Sequence, residues 1–138
     1  MESSKEEEAT EPDKPEIEHM PEFDKCMHHL RKFKTIGEDL ERFEKALLAN
    51  YPDLEPWGLN VCVVQGVSGI EYEKAYIAKK FKCVYLNSFQ LIRLTYTCDP
   101  GNNKIIFIEI YFKGDKEIED KELIKKYLVK KRVQQVAG

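Results

Sequence analysis

The chain lacks the cysteine spacing, the long apolar run and the basic leader that identify several large classes of protein. Its four cysteines lie far apart with no C-x-x-C pair, which excludes a zinc knuckle and a thioredoxin-type site. No stretch approaches the ~18 apolar residues of a membrane-spanning helix, and the N-terminus is acidic where a signal peptide is basic. We therefore expect a cytoplasmic protein with free thiols and with no metal or other cofactor.

The composition is nevertheless that of a folded protein. Hydrophobic residues make up 42% of the 138 residues, and 7 Phe, 7 Tyr and 1 Trp are among them. A chain of this length has room for one domain with a core of its own.

Charge is divided unevenly along the chain. The formal net charge is -3, but residues 1–20 contain eight acidic residues and only two lysines, so the remainder is mildly basic. Residues 1–18 have almost no apolar side chain, and we expect them to form a disordered acidic tail. Residues 19–133 then form the domain, and residues 134–138 a flexible C-terminus.

Two helices are predicted before Pro52. Apolar side chains recur three or four residues apart over residues 23–34, which predicts the first helix. Thr35 followed by Glu38 has the pattern of a capping box at the start of the second helix, which continues until the proline forbids it. The two helices are expected to pack as a hairpin.

After residue 58 the pattern becomes strand-like. We predict four strands, at residues 59–65, 71–81, 88–97 and 104–112. The last is β-branched and aromatic almost throughout, which indicates a buried central strand. An amphipathic closing helix follows near Leu123–Leu128. The predicted fold class is α+β: two N-terminal helices packed on an antiparallel sheet of about four strands, with a C-terminal helix.

Four segments, in this order, suggest a family. They are the helix ending GEDLERFEKALLANYP, the strand ending YEKAYIAKK, the strand LIRLTY and the run KIIFIEIYFKGDKE. Over roughly residues 23–130 the chain resembles the RelE/ParE superfamily of toxins, in particular its RelE- and HigB-like members. The resemblance implies a RelE-like domain and the toxin of a type II toxin-antitoxin system, an endoribonuclease (mRNA interferase) that cuts mRNA in the ribosomal A site and inhibits translation.

Such cleavage needs no metal ion. The ribose 2′-OH attacks the adjacent phosphate, so the site must remove one proton, supply another and offset charge on the phosphoryl oxygens. Arginine and lysine suit the last task. The resemblance assigns catalytic roles to Lys74, Arg93 and Lys113, with Tyr76 or Tyr111 assisting. On neighbouring strands the three cations are expected to converge on one face.

Three lysines near the end of the second predicted strand are candidates for RNA binding. Lys79, Lys80 and Lys82 would contact phosphates, which supply most of the affinity for nucleic acid; alternatively, they protect a sheet edge against aggregation. Trp57 is expected to pack the helix hairpin onto the sheet, with base stacking as the alternative.

Other functions stay open beside the endoribonuclease. Glu119 stands about where RelE carries a tyrosine, which favours a non-catalytic RelE/ParE-fold module that inhibits a protein target or has lost catalysis. A structural or assembly protein is the third class. As a toxin, the chain would have a cognate antitoxin, the ribosome and mRNA as partners, and no membrane. The acidic tail either solubilises the protein or competes with RNA for a basic groove.

Overall fold

The computed structural model describes residues 14–67 and 71–131, and within them it shows an α+β fold. The strands are β1 (Glu16–His19), β2 (Val61–Val63), β3 (Ala75–Cys83), β4 (Ser88–Asp99) and β5 (Lys104–Phe112). The helices are α1 (Pro21–His29), α2 (Ile36–Asn50) and α3 (Lys121–Tyr127), with short 3-10 turns at Leu30–Lys32 and Trp57–Leu59. No helix of this described part is long and apolar enough to cross a membrane.

The strands form one mixed sheet in the order β1-β5-β4-β3-β2. β1 runs parallel to β5, with Ile17 opposite Ile105, and the other neighbours are antiparallel. The prediction of an antiparallel sheet of about four strands is therefore wrong at this edge. Residues 16–18 were predicted to belong to the disordered tail, but they lie in β1 because pairing with β5 satisfies their main-chain groups. Residues 1–13 and 134–138 lie outside the described residues.

All four predicted strands are present, and the last agrees residue for residue. β5 lies between β1 and β4 and is buried along most of its length, which confirms the central strand. β3 begins only at Ala75, four residues later than predicted. The preceding segment pairs elsewhere: the Glu73 N–H donates a hydrogen bond of 2.7 Å to the carbonyl of Val129, after α3.

The first face of the sheet is covered by α1 and α2 and has an aromatic core. Phe23 of α1 lies 5.4 Å from Phe107, and Phe43 of α2 lies 5.5 Å from Phe81, between ring centroids. Tyr96 completes this core and is fully buried. Both helices thus cover one face, as predicted, but each rests mainly on a strand, α1 on β5 and α2 on β3, rather than on the other helix as a hairpin.

The start of α2 is tied to the β3–β4 turn and not capped as predicted. The Thr35 hydroxyl makes no capping bond; it donates to the Asp39 carboxylate (2.8 Å) and accepts the Tyr85 N–H (2.8 Å). The buried Asp39 also accepts the Val84 N–H (3.3 Å) and the Arg42 guanidinium (3.0 Å). Thr35 is the N-cap residue, as predicted, but the capping-box hydrogen bond is absent because its hydroxyl is engaged by Asp39 and Tyr85 instead.

The second face is covered in part by α3, whose Ile124 is fully buried beside Ile77, Ile106 and Ile108. Asp120 caps the helix by accepting the Leu123 N–H (3.1 Å). This helix confirms the predicted C-terminal helix. The predicted free thiols are also confirmed among the described residues: Cys83 and Cys98 are buried, and Cys26 and Cys62 are half-buried.

Glu22 connects α1 to α3. Its carboxylate accepts the Tyr127 hydroxyl (2.6 Å) and the Lys126 ammonium (3.0 Å). These two hydrogen bonds, Tyr127 first, lower the pKa of Glu22 from 4.5 to about 2. The carboxylate therefore stabilises the fold only where it is ionised.

The first prediction concerns the second-face core. Ile108→Asp would bury an unpaired charge beneath α3, so we expect it to lower the free energy of unfolding by about 4 kcal/mol or more. Ile118→Asp is the matched control, because Ile118 is 66% exposed and should tolerate the change. Chemical denaturation measures both, and a cooperatively melting Ile108→Asp protein of near wild-type stability would contradict the placement of Ile108.

The second prediction concerns pH. The folded-state pKa of Glu22 is depressed, so its stabilisation is present above pH 4.5 and is lost as the pH falls towards 2. Glu22→Gln should thus be less stable than wild type at pH 7, with the difference shrinking below pH 4.5. Glu122→Gln, which removes the charge of an exposed carboxylate on α3, should show neither effect. If the stability difference between Glu22→Gln and wild type did not depend on pH, the ionised Glu22 carboxylate would not be the group that stabilises this contact.

Candidate nucleic-acid interface

Two of the predicted catalytic side chains are direct neighbours across β4 and β5. Arg93 pairs with Tyr111 in the ladder, and the Lys113 N–H continues it by donating to the Leu91 carbonyl (2.8 Å). Because residues opposite each other or two apart in a strand share a face, these four side chains lie together on the second face. We call Leu91, Arg93, Tyr111 and Lys113 the Arg93 patch.

The patch lies at the border of the area that α3 covers. Tyr111 is buried among the residues of the second-face core, whereas Arg93 and Lys113 are half-buried and Leu91 is 37% exposed. The second face of the sheet therefore changes from a buried apolar region to a partly exposed basic region over the length of one strand. Such a border allows a ligand to reach the cations while part of it is shielded from water.

Two buried polar atoms in the patch have no hydrogen-bond partner among the described residues. They are the Tyr111 hydroxyl and the Nε of Arg93. A buried donor left without a partner costs about 1–3 kcal/mol, and buried polar groups of folded proteins are rarely left so. Two such donors side by side indicate a place where a ligand with acceptor oxygens would bind.

The protonation state of Tyr111 fits it for donating. Burial and then the nearby Glu119 carboxylate raise the pKa of its hydroxyl to about 12, against the opposing effect of the Arg93 guanidinium. At neutral pH the hydroxyl is therefore protonated and donates a hydrogen bond rather than accepting a proton. The Lys116 ammonium lies 5.2 Å from the centre of the Tyr111 ring, but its charge is paired with the buried Glu109 carboxylate.

Lys74 is not part of the patch. It precedes Ala75, which pairs with Thr97, and Thr97 is four residues from Arg93 along β4. At about 3.3 Å per residue this separation is roughly 13 Å along the strand. The expectation that all three predicted cations converge is therefore wrong for Lys74, because the register of β3 and β4 places it at the opposite end of the sheet.

Tyr76 lies on the other face of the sheet. It pairs with Tyr96, and the two rings stack with centroids 5.4 Å apart in the first-face core. Burial, followed by the Glu55 carboxylate, raises the pKa of Tyr76 to about 12. The sheet separates it from Arg93, so Tyr76 and Arg93 do not form one site.

Two of the three candidate RNA-binding lysines line a cleft at the edge of the sheet. Lys80 and Lys82 lie where β3 extends beyond its pairing with β2, which ends at Ala78. The cleft has a volume of about 480 Å³ and separates this edge from α2. Lys79 does not line it; it is half-buried, and its N–H donates to the Asn60 carbonyl (3.2 Å). We call this space the edge cleft.

The edge cleft contains residues that the sequence did not single out. Arg42 and Phe43 of α2, Leu59, and Phe89 at the start of β4 complete its walls. Phe89 could have been identified from the sequence, because it is an aromatic residue between two polar ones, Ser88 and Gln90. Arg42 could not, because an arginine on an exposed helix face is common.

Trp57 is placed differently from the prediction. Its side chain is 94% exposed, so it does not pack the helices onto the sheet. The buried Pro56 and the half-buried Leu59, which packs on the first-face core, fix the connection instead. Trp57 directly precedes Gly58, which lines the edge cleft, so its main chain adjoins the cleft.

No protein-family model, curated protein or solved structure matches this chain.

The third prediction compares two buried tyrosines. The Tyr96 hydroxyl donates to the Leu54 carbonyl, so Tyr96→Phe should lower the free energy of unfolding by about 1 kcal/mol. Tyr111→Phe removes a buried donor that has no partner among the described residues, and should leave stability unchanged or raise it by up to about 2 kcal/mol. Urea denaturation of both variants measures this contrast. Equal destabilisation by the two changes would show that the Tyr111 hydroxyl is satisfied within the protein.

Proposed function

We propose that the chain is a RelE/ParE-like toxin, a cytoplasmic endoribonuclease that binds mRNA at the ribosome and cuts it without a metal ion. The observation that carries the proposal is the Arg93–Tyr111 pair, in which two buried donors lack a partner within residues 14–67 and 71–131 and lie close to Lys113. Two residues that the resemblance names as basic positions, Arg93 and Lys113, thus share one accessible part of the sheet.

Each residue of the patch has a task that follows from its chemistry. Arg93, permanently charged and forked, would hold two oxygens of the scissile phosphate. Tyr111, protonated at neutral pH, would donate a hydrogen bond to an oxygen that gains charge. The Lys113 ammonium would offset charge on the phosphoryl oxygens, and the 2′-hydroxyl proton would leave to solvent water.

The surroundings of the patch also fit a nucleic-acid ligand. Lys80 and Lys82 line the neighbouring edge of the sheet. A row of cations is what phosphate binding requires. In this proposal a cognate antitoxin protein holds the toxin inactive until it is removed.

A non-catalytic binding module of the RelE/ParE kind is the second candidate. The observation that favours it is the absence of Lys74 and Tyr76 from the patch: one lies at the far end of β3, and the other lies on the opposite face. Such a protein would inhibit its target by occupying it, with the cations of the patch used for binding only.

The fourth prediction separates these candidates by inducing the gene and mapping mRNA 5′ ends. Wild-type protein should arrest growth and generate new 5′ ends. In purified translation complexes Arg93→Ala should slow cutting by about 10²–10³-fold, as the loss of one charge-stabilising group does. Lys74→Ala is the matched control and should cut at close to the wild-type rate.

The outcomes divide as follows. Growth arrest without new 5′ ends favours the binding module over the nuclease. Cutting that depends on Lys74 as strongly as on Arg93 would contradict the assignment to the Arg93 patch. Absence of both arrest and cutting, with a correctly folded protein, would contradict both candidate functions.

A further inference from the structure

The edge cleft is basic although a carboxylate lies in its wall. Arg42, Lys80 and Lys82 stand against one acid, Asp39. The Asp39 side chain is buried and is already engaged by Arg42, by the Thr35 hydroxyl and by the Val84 N–H. Lys80 and Lys82 form no ion pair with an acidic residue in the described ranges. Their charges are therefore available to an anionic ligand.

The cleft also presents an aromatic ring beside one of these cations. The Lys82 ammonium lies 4.3 Å from the centre of the Phe89 ring, and the ring is 51% exposed. Trp57, the only tryptophan of the chain, adjoins the lining residue Gly58 and is almost fully exposed. Exposed aromatic rings next to cations are the combination that binds unpaired bases, since the ring stacks on the base and the cation meets the phosphate.

The size of the cleft suits a small part of a nucleic-acid chain. Its volume of about 480 Å³ lies within the roughly 300–1,000 Å³ of ordinary ligand pockets. An acidic peptide would match the charge but would leave Phe89 and Trp57 unused. A nucleotide would contact both the cations, through its phosphate, and the aromatic rings, through its base.

The cleft and the Arg93 patch lie on the neighbouring strands β3 and β4, the cleft on the side of α2 and the patch on the second face. Phe81, between Lys80 and Lys82, pairs with Ile92, the neighbour of Arg93. Neighbouring strands are about 4.8 Å apart. RNA that leaves the cleft would therefore cross the β3–β4 hairpin onto the second face.

We propose that the edge cleft is a subsite for one nucleotide of single-stranded RNA, separate from the Arg93 patch. Phe89 stacks on the base, Lys80, Lys82 and Arg42 hold the flanking phosphates, and Trp57 closes on the nucleotide from the rim. This inference rests on the proposed function, because it supplies a second contact for the RNA that the patch would cut.

The test is a titration of the full chain with a short single-stranded 2′-O-methyl oligouridylate, followed by tryptophan fluorescence. This RNA has no 2′-hydroxyl nucleophile and cannot be cut by the proposed reaction, and the single tryptophan reports on the cleft. Saturable quenching is expected. Phe89→Ala should weaken the affinity by about 5- to 100-fold, the usual effect of removing a stacking ring, whereas the control Tyr72→Ala, an exposed aromatic outside the cleft, should not.

Two charge variants test the phosphate contacts. Lys80→Gln and Lys82→Gln should each reduce the slope of log affinity against log salt by about 0.7, the value for one phosphate contact on a single strand. Circular dichroism and thermal melting of every variant show that it folds. Unchanged slopes in both would overturn the phosphate assignment.

Other occupants give other results. Inorganic polyphosphate that binds as tightly as the RNA and is insensitive to Phe89→Ala would indicate an acidic ligand, such as the N-terminal segment of this chain, and would overturn the proposal. So would RNA binding that leaves the tryptophan emission unchanged. Quenching that follows these expectations in a protein that never cuts mRNA would support the subsite while refuting the nuclease, so the two failures are distinguishable.

Discussion

The buried carboxylate of Glu109 is the interaction on which the arrangement of the candidate site depends. The ladder between β4 and β5 shifts by one residue here, so that Thr95 faces Glu109 while Tyr96 faces Phe107, and the side chain is almost fully buried. A charge in this position must be compensated. Glu109 pairs with the Lys116 ammonium and accepts the Asp120 N–H (2.9 Å). Since Asp120 in turn caps α3, this one side chain fixes where the helix begins and which part of the second face it covers.

The two faces of the sheet differ because of this constraint. The first face is closed by α1 and α2 over an aromatic core in which Tyr96 makes its hydrogen bond internally. On the second face α3 is short, and its buried residue Ile124 reaches only part of the strands. The remainder holds Arg93 and Tyr111, whose donors are not satisfied by the described part of the protein. The first face is thus closed by packing, whereas the second face leaves Arg93 and Lys113 half-buried at the border of its core.

The sequence predicted those elements whose bounds depend on residues close together in the chain. The bounds of β5 follow from its own apolar and β-branched residues, and α2 ends within two residues of Pro52 because proline cannot continue a helix. β1 escaped prediction because its partner lies almost 90 residues away and its own residues are mostly polar. The register of the strands could not be predicted from the sequence either. The pairing of β3 with β4 and of β4 with β5 places Tyr111 opposite Arg93 and places Lys74 away from both. The edge cleft joins three distant segments, so no sequence window contains it.

The central claim is that RNA binds where the second face is left open and along the neighbouring edge of β3. The most direct measurement is an amide chemical-shift map of the isotope-labelled protein titrated with uncleavable single-stranded RNA. The account predicts the largest shifts at Leu91–Arg93, at Tyr111–Lys113 and at Lys80–Lys82, with little change at Lys74 and Tyr76 or along α1. Shifts confined to Lys74 and the far end of β3, or to the first face, would contradict it.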